Sequence, residues 1–172
     1  MMKYEELNKM LYKNKNIPYP AIPNLYPNKN YANLIYDSFG GEKGELTAIT
    51  QYIYEYLELK DNVAIQKILL NIAIQEMNHL DMLGSILVKL GEKPFYKSSS
   101  EECWSSNNVN YKECDLKEMM KINILGEEEA INEYKQLIKY TRNMYLRRVY
   151  ERIILDETTH LEIFRRIHEE VK

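Results

Sequence analysis

The sequence predicts an all-α protein, a four-helix bundle with a long crossover between its second and third helices. Three observations carry this expectation. One stretch places Ile65, Leu69, Ile72, Glu76, His79, Leu83, Ile86 and Leu90 at alternating steps of four and three, and another does the same with Leu146, Tyr150, Ile153, Glu157, His160, Phe164, Ile167 and Val171. That spacing is the period of a core-facing helix seam. Each seam carries a Glu-x-x-His unit at its centre, Glu76-Met77-Asn78-His79 and Glu157-Thr158-Thr159-His160. Finally, the chain repeats itself: the segment Gly44 to Tyr52 matches Gly126 to Tyr134 in glycine, glutamate, alanine, isoleucine and tyrosine at an offset of 82 positions, and the Glu-x-x-His units follow at an offset of 81.

Taken in order, residues 1–28 have room for a short helix and then carry Pro18, Pro20, Pro23 and Pro27, which forbid a continuous one. They read as an arm that wraps the domain or a neighbouring subunit, leaving 29–172 as the bundle. A helical pattern begins near Asn30 and is broken by Gly40, Gly41 and Gly44. The main helices are expected at about 42–59, 62–91, 115–140 and 143–171. A helix of about 28 residues is about 42 Å long, and about 24 extended residues at about 3.3 Å each can span it. The linker between the second and third helices therefore makes those two parallel, and short turns make the other neighbours antiparallel. A two-fold axis across the bundle would then set both Glu-x-x-His units at one level.

Residues three apart on a helix share a face, so each unit aims a carboxylate and an imidazole in one direction. The other two helices add Glu45 and Glu127, in phase with Ile49, Tyr52, Tyr56 and Leu59 and with Ile124, Ile131, Tyr134 and Ile138. Glu128 and Glu129 are rotated about 100° and 200° away and are left out. Six inward groups result: Glu45, Glu76, His79, Glu127, Glu157 and His160. Four ionised carboxylates in an apolar core would be too costly to leave uncompensated. Two divalent cations neutralise them with both imidazoles unprotonated, and one Glu from each of two helices plus Glu-x-x-His from each of the others is a di-metal carboxylate pattern. Chance surface units on a plain bundle would not share the core phase six times. Tyr52 and Tyr134 are placed to donate hydrogen bonds to ligand carboxylates or simply to pack in the core; Gln75 and Asp156, next to the motif glutamates, are weaker candidates for a supporting place behind the ligands. His168 lies off the seam and is expected in solvent.

Composition sets bounds. At 172 residues and 45% hydrophobic, the chain suits one domain with a sizeable core. A net charge of -3 gives no general footing for nucleic acid or an acidic membrane. The late arginines, Arg142, Arg147, Arg148, Arg152, Arg165 and Arg166, alternate with acids and read as a solvated, salt-bridged face. No apolar run approaches a membrane span, and no signal-peptide region opens the chain, so a cytoplasmic protein is expected. Cys103 and Cys114 are the only cysteines, favoured as loop thiols over a redox disulfide, and too few for a four-thiolate iron centre.

With these motifs in view, residues 30–172 resemble the ferritin-like superfamily, in particular its rubrerythrin and manganese-catalase branches. The repeated Glu-x6-Tyr and Glu-x-x-His is similar to the rubrerythrin di-iron domain, and Phe39-Gly40-Gly41-Glu42-Lys43-Gly44-Glu45-Leu46 resembles the start of the first metal helix in manganese catalases and their spore-coat relatives. The resemblance implies two iron or two manganese ions per chain and chemistry on hydrogen peroxide or dioxygen. It also implies a homo-oligomer, a dimer or larger. Without a rubredoxin domain, a rubrerythrin-type reaction would draw electrons from an external donor protein. Where rubrerythrins carry an extra glutamate on the third helix, this sequence has Ala130. In manganese catalases the second Glu-x-x-His supplies chiefly its histidine, so Glu157 is open between a ligand and a catalytic proton-handling residue; Tyr52 and Tyr134 are candidates for the latter role too. The competing readings are a ferroxidase and iron-storage cage, and a structural, coat-associated bundle stabilised by metal.

Overall fold

The computed structural model describes residues 4–112 and 115–171, and is helical: α1 (Tyr4–Leu11), α2 (Lys29–Gly40), α3 (Glu45–Glu58), α4 (Val63–Lys89), α5 (Leu116–Tyr140) and α6 (Met144–Glu170). Among the described residues no helix is long and apolar enough to cross a membrane. Cys114 lies outside the described residues. The ranges expected from sequence overshoot mainly where they include the capping residues. Asn62, Asp115 and Asn143 stand just before α4, α5 and α6 and accept hydrogen bonds from backbone N–H groups of the first turns, satisfying donors that have no partner inside the helix. At the start of α3 the helix begins at Glu45, not near residue 42, because 41–44 form a turn over the end of α2. A Cβ on Gly44 would lie 2.5 Å from the Asp37 carbonyl oxygen, and one on Gly40 would lie 2.7 Å from Tyr96 Cα. Glycine is needed there because backbone crosses backbone.

Two apolar clusters fill the bundle, and their composition reveals its topology. One contains Ile68, Leu69, Ile72, Met120, Ile163 and Phe164, and the other Ile35, Leu83, Ile86, Leu87, Val149 and Ile153. Along α4 the chain runs from the first cluster to the second, along α5 it again runs from the first (Met119, Met120) to the second (Tyr134, Leu137), and α6 runs in reverse. Thus α4 and α5 are parallel and α5 and α6 antiparallel, a ferritin-like bundle with its long crossover between the second and third main helices. Each fully buried Leu or Ile contributes roughly 1.5–3 kcal/mol. Leu7 and Leu11 of α1 belong to the first cluster, so the beginning of the arm is part of the core, packed on α4 and α6. The crossover is tied back to the bundle by Trp104 Nε1 donating to Thr47 Oγ1 (3.0 Å) and by Gln51 Oε1 accepting from Asn110 N (2.7 Å).

Between the apolar clusters lies a polar layer. Glu76 and His79 fall between Ala73 and Met82 on α4, and Glu157 and His160 between Ile153 and Ile163 on α6.

Candidate metal centre

The six inward groups come together. Glu45, Glu76, His79, Glu127, Glu157 and His160 are each at most 5% exposed. His79 Nδ1 is 2.7 Å from Glu76 Oε2, 3.0 Å from Glu157 Oε1 and 3.7 Å from Glu45 Oε2. His160 Nδ1 is 2.9 Å from Glu76 Oε1, 3.1 Å from Glu157 Oε2 and 3.8 Å from Glu127 Oε1. Glu76 and Glu157 therefore each turn one oxygen to each histidine, while Glu45 and Glu127 each serve one side. Two sets of donor atoms follow, Glu45–Glu76–His79–Glu157 and Glu76–Glu127–Glu157–His160, each with its atoms within 4.8 Å of one another.

The six groups interact electrostatically. Burial, reinforced by Glu157 and Glu76, pushes the Glu45 carboxyl up to about 8. Burial and the same two carboxylates push Glu127 well above its ordinary range. Burial also opposes a charge on each imidazole, yet Glu157 beside His79 and Glu76 beside His160 raise both well above 6.5. At Glu157 burial acts upward, and His79 together with the hydrogen bond from His160 outweighs it and lowers the carboxyl. On protein groups alone the cluster can balance its charge only by holding protons. Glu76 Oε1 and Glu157 Oε1 are buried and, though each lies near an imidazole Nδ1, neither accepts a well-formed hydrogen bond, which leaves both lone-pair-rich oxygens short of a partner. Two oxygen-rich donor sets with one imidazole each fit a pair of divalent first-row cations such as manganese or iron.

The supports of the cluster cross between the repeats. Tyr52 on α3 donates to Glu127 Oε1 on α5 (2.6 Å), and Tyr134 on α5 donates to Glu45 Oε1 on α3. Burial raises both phenols well above 10, so they stay protonated donors. The outer imidazole nitrogens are met from the opposite Glu-x-x-His helix: His79 Nε2 lies 3.3 Å from Asp156 Oδ2, and His160 Nε2 lies 2.7 Å from Gln75 Oε1. Glu128 and Glu129 point away, paired at 2.5 Å with Arg165 and Lys43. A cavity of about 310 Å³ opens between α3 and α5; it is lined by Gly44, Ala48, Gly126 and Ala130 and reaches Glu45, Glu76, Glu127 and Glu157.

Some expectations change. Arg152 is 7% exposed, not part of a solvated face, because its guanidinium turns inward to Asp156 (Nη1–Oδ1 2.6 Å). His168 is half-buried, with Nε2 enclosed and unpartnered. Two features were not expected. Tyr19 of the arm donates to Asp156 Oδ2 (2.5 Å) and sits edge-on to the His79 ring. Glu55, 1% exposed, accepts from Gln51 (2.9 Å) and Asn123 (2.6 Å), and burial pushes it up to about 7 despite both bonds. Asn123 lies four residues before Glu127, on its face of the helix, and was the signal available for that pair.

The fold and the paired carboxylate–histidine layer are those of a ferritin-like bundle with a candidate two-metal centre. Residues 10–109 match the family described as manganese containing catalase, and the chain belongs to that family. The match spans Glu45, Glu76 and His79. A probable manganese catalase of Clostridium acetobutylicum is 26% identical over 166 residues, covering 84% of this chain and 73% of that protein. The manganese catalase of Bacillus subtilis is 26% identical over 78 residues, 45% of this chain and 28% of that one. Among solved structures, the manganese catalase KatB of Anabaena superimposes with a TM-score of 0.78 at 24% identity, covering 87% of this chain and 75% of its own. The bacterioferritin of Desulfovibrio desulfuricans gives 0.67 at 21%, covering 81% and 78%. These two likenesses concern the fold.

Proposed function

We propose that this protein is a catalase-type oxidoreductase that dismutates hydrogen peroxide at a pair of manganese ions. Glu45, Glu76, His79, Glu127, Glu157 and His160 would hold the pair, Glu76 and Glu157 shared between the two positions. On this reading the bundle of 29–172 would carry the site, with 1–28 as its arm, of which Leu7 and Leu11 pack into the core. The observation that carries the reading is the placement of both imidazole Nδ1 atoms against opposite oxygens of the same two buried glutamates. Family membership supports manganese over iron.

When bound, the cations supply Lewis acidity and the capacity to exchange two electrons with peroxide. The protein supplies the rest. The cleft between α3 and α5 admits a small substrate past Ala48, Gly126 and Ala130 to the carboxylates. Tyr52 and Tyr134 fix the orientation of Glu127 and Glu45 and keep their own protons. Glu157 lines the cleft and belongs to both donor sets, so its carboxylate is placed to take a proton from incoming peroxide and return it to product. Dismutation makes one dioxygen and two waters from two peroxides, so the electrons balance within the substrate. The external electron donor expected for a rubrerythrin-type reaction is not needed here. An intracellular setting and self-association into a dimer or small ring belong to the same proposal.

Elemental analysis joined to a peroxide assay after separate manganese and iron loading tests it. Two manganese ions per chain, with one dioxygen released for every two peroxides consumed, is the expected result. Oxidation and retention of a large excess of iron by a hollow assembly would replace it with iron storage. Loaded protein without turnover would leave a structural role.

A further inference from the structure

The two halves of the centre match in every group that faces its middle, and differ in what stands behind the histidines. Behind His160 is an amide, Gln75 Oε1 at 2.7 Å, on a half-exposed side chain. Behind His79 is a carboxylate, Asp156 Oδ2 at 3.3 Å, 2% exposed. Gln75 and Asp156 occupy equivalent places in the repeat, each one residue before its motif glutamate. The carboxylate is itself built in. Its Oδ2 also accepts from Tyr19 (2.5 Å), and its Oδ1 pairs with Arg152 Nη1 (2.6 Å). Arg152 Nε donates to Ile17 O (2.8 Å), and its guanidinium lies 4.3 Å over the Tyr19 ring. The Tyr19 ring meets His79 edge-on with centroids 6.1 Å apart. Two residues of the proline-rich arm thus close a shell around one histidine; nothing equivalent is found among the described contacts of His160.

A carboxylate accepting the outer N–H of a metal-bound imidazole fixes its orientation and raises its basicity, and such outer partners are worth about 10–100-fold in metal affinity. An amide oxygen orients the ring but carries no charge. We propose that Asp156, seated by Tyr19 and Arg152, is a positioning residue for the His79-side metal position alone, so that the two positions differ in affinity and the first ion to bind enters beside His79. This rests on the dinuclear reading above and adds an order of loading to it. The described partners of the Asp156 side chain are His79, Tyr19 and Arg152, so among the six it acts on His79 and its effect should be one-sided.

The test is a titration of metal-free, full-length protein with Mn(II), following free Mn(II) by its electron paramagnetic resonance signal. Wild-type protein should bind two equivalents in two resolved steps. Asp156→Asn should weaken the tighter step about tenfold or more and leave the weaker step in place, merging the two. Tyr19→Phe, which removes one hydroxyl, should weaken the same step by a smaller factor and keeps the question answerable if Asp156→Asn does not fold. Gln75→Glu should act in reverse, tightening the weaker step, a gain that a purely structural role for these side chains would not give. Two equal, independent equivalents in the wild type would overturn the proposal while leaving the dinuclear site standing, as would a uniform loss of both steps in Asp156→Asn or in Tyr19→Phe. Failure of the wild type to bind two equivalents would overturn the dinuclear reading itself.

Discussion

Each imidazole at the centre is the single nitrogen donor of its set, so the sets can be dissected one side chain at a time. His79→Ala and His160→Ala should each lower metal content by about one ion per chain and suppress peroxide consumption, measured by elemental analysis and oxygen release. Unchanged occupancy in either variant would remove that histidine from the site. Tyr52→Phe strips Glu127 of its buried donor, and an unsatisfied buried oxygen costs about 1–3 kcal/mol. Urea denaturation of the metal-free protein should report a loss of that size. The six inward residues were legible in the sequence because helical periodicity alone puts Glu76 with His79 and Glu157 with His160. Tyr19, Arg152 and Asp156 were not legible as a group. Their contact joins residues 137 positions apart through an arm that has no periodicity, and Arg152 reads as one more solvated arginine until Asp156 is seen inside.

At the scale of elements, caps and glycines set where each helix begins. The seams fixed the helices themselves, whereas Gly41 to Gly44 could be read as a break but not as a turn folded back on Asp37, because only the packed backbone shows that crossing. Gly44→Ala should therefore destabilise the protein by about 1–3 kcal/mol, as overpacking does; because Glu45 is the next residue, metal content should fall with it. Gly126 offers the contrast. A Cβ there meets nothing within 4 Å, and alanine is favoured over glycine inside a helix by about 1 kcal/mol. Gly126→Ala should raise the urea midpoint. Widening the same wall further tests the cleft: Ala130→Phe should slow peroxide consumption while metal content stays at the wild-type level. Loss of metal along with activity would show instead that the substitution had disturbed the cluster.

For the whole molecule, stability without metal is tied to pH through the raised groups. Glu45 is pushed up to about 8 from an unfolded value of about 4.3, and both histidines lie well above 6.5. Between about pH 4.5 and 8 the folded state therefore holds more protons than the unfolded chain, and stability falls as pH rises through that window. Below it the lowered carboxyl of Glu157 reverses the slope. Metal-loaded protein should do the opposite across the window, since protons compete with cations for the same oxygens. Thermal melts of both forms between pH 5 and 8 check the two slopes, and parallel slopes would contradict a metal-binding role for the cluster.

The sharing of Glu76 and Glu157 between both donor sets has a consequence for how the protein is made. Neither hairpin owns a complete set: the one ending at Lys89 supplies Glu45, Glu76 and His79, and the other Glu127, Glu157 and His160. While a ribosome has delivered only the first, its acids face no counterpart and no ion can be caged. On the dinuclear reading, loading would then wait until both hairpins are made. A chain severed in the crossover should regain metal only when its two fragments are mixed, each being half of a lock that closes on the other.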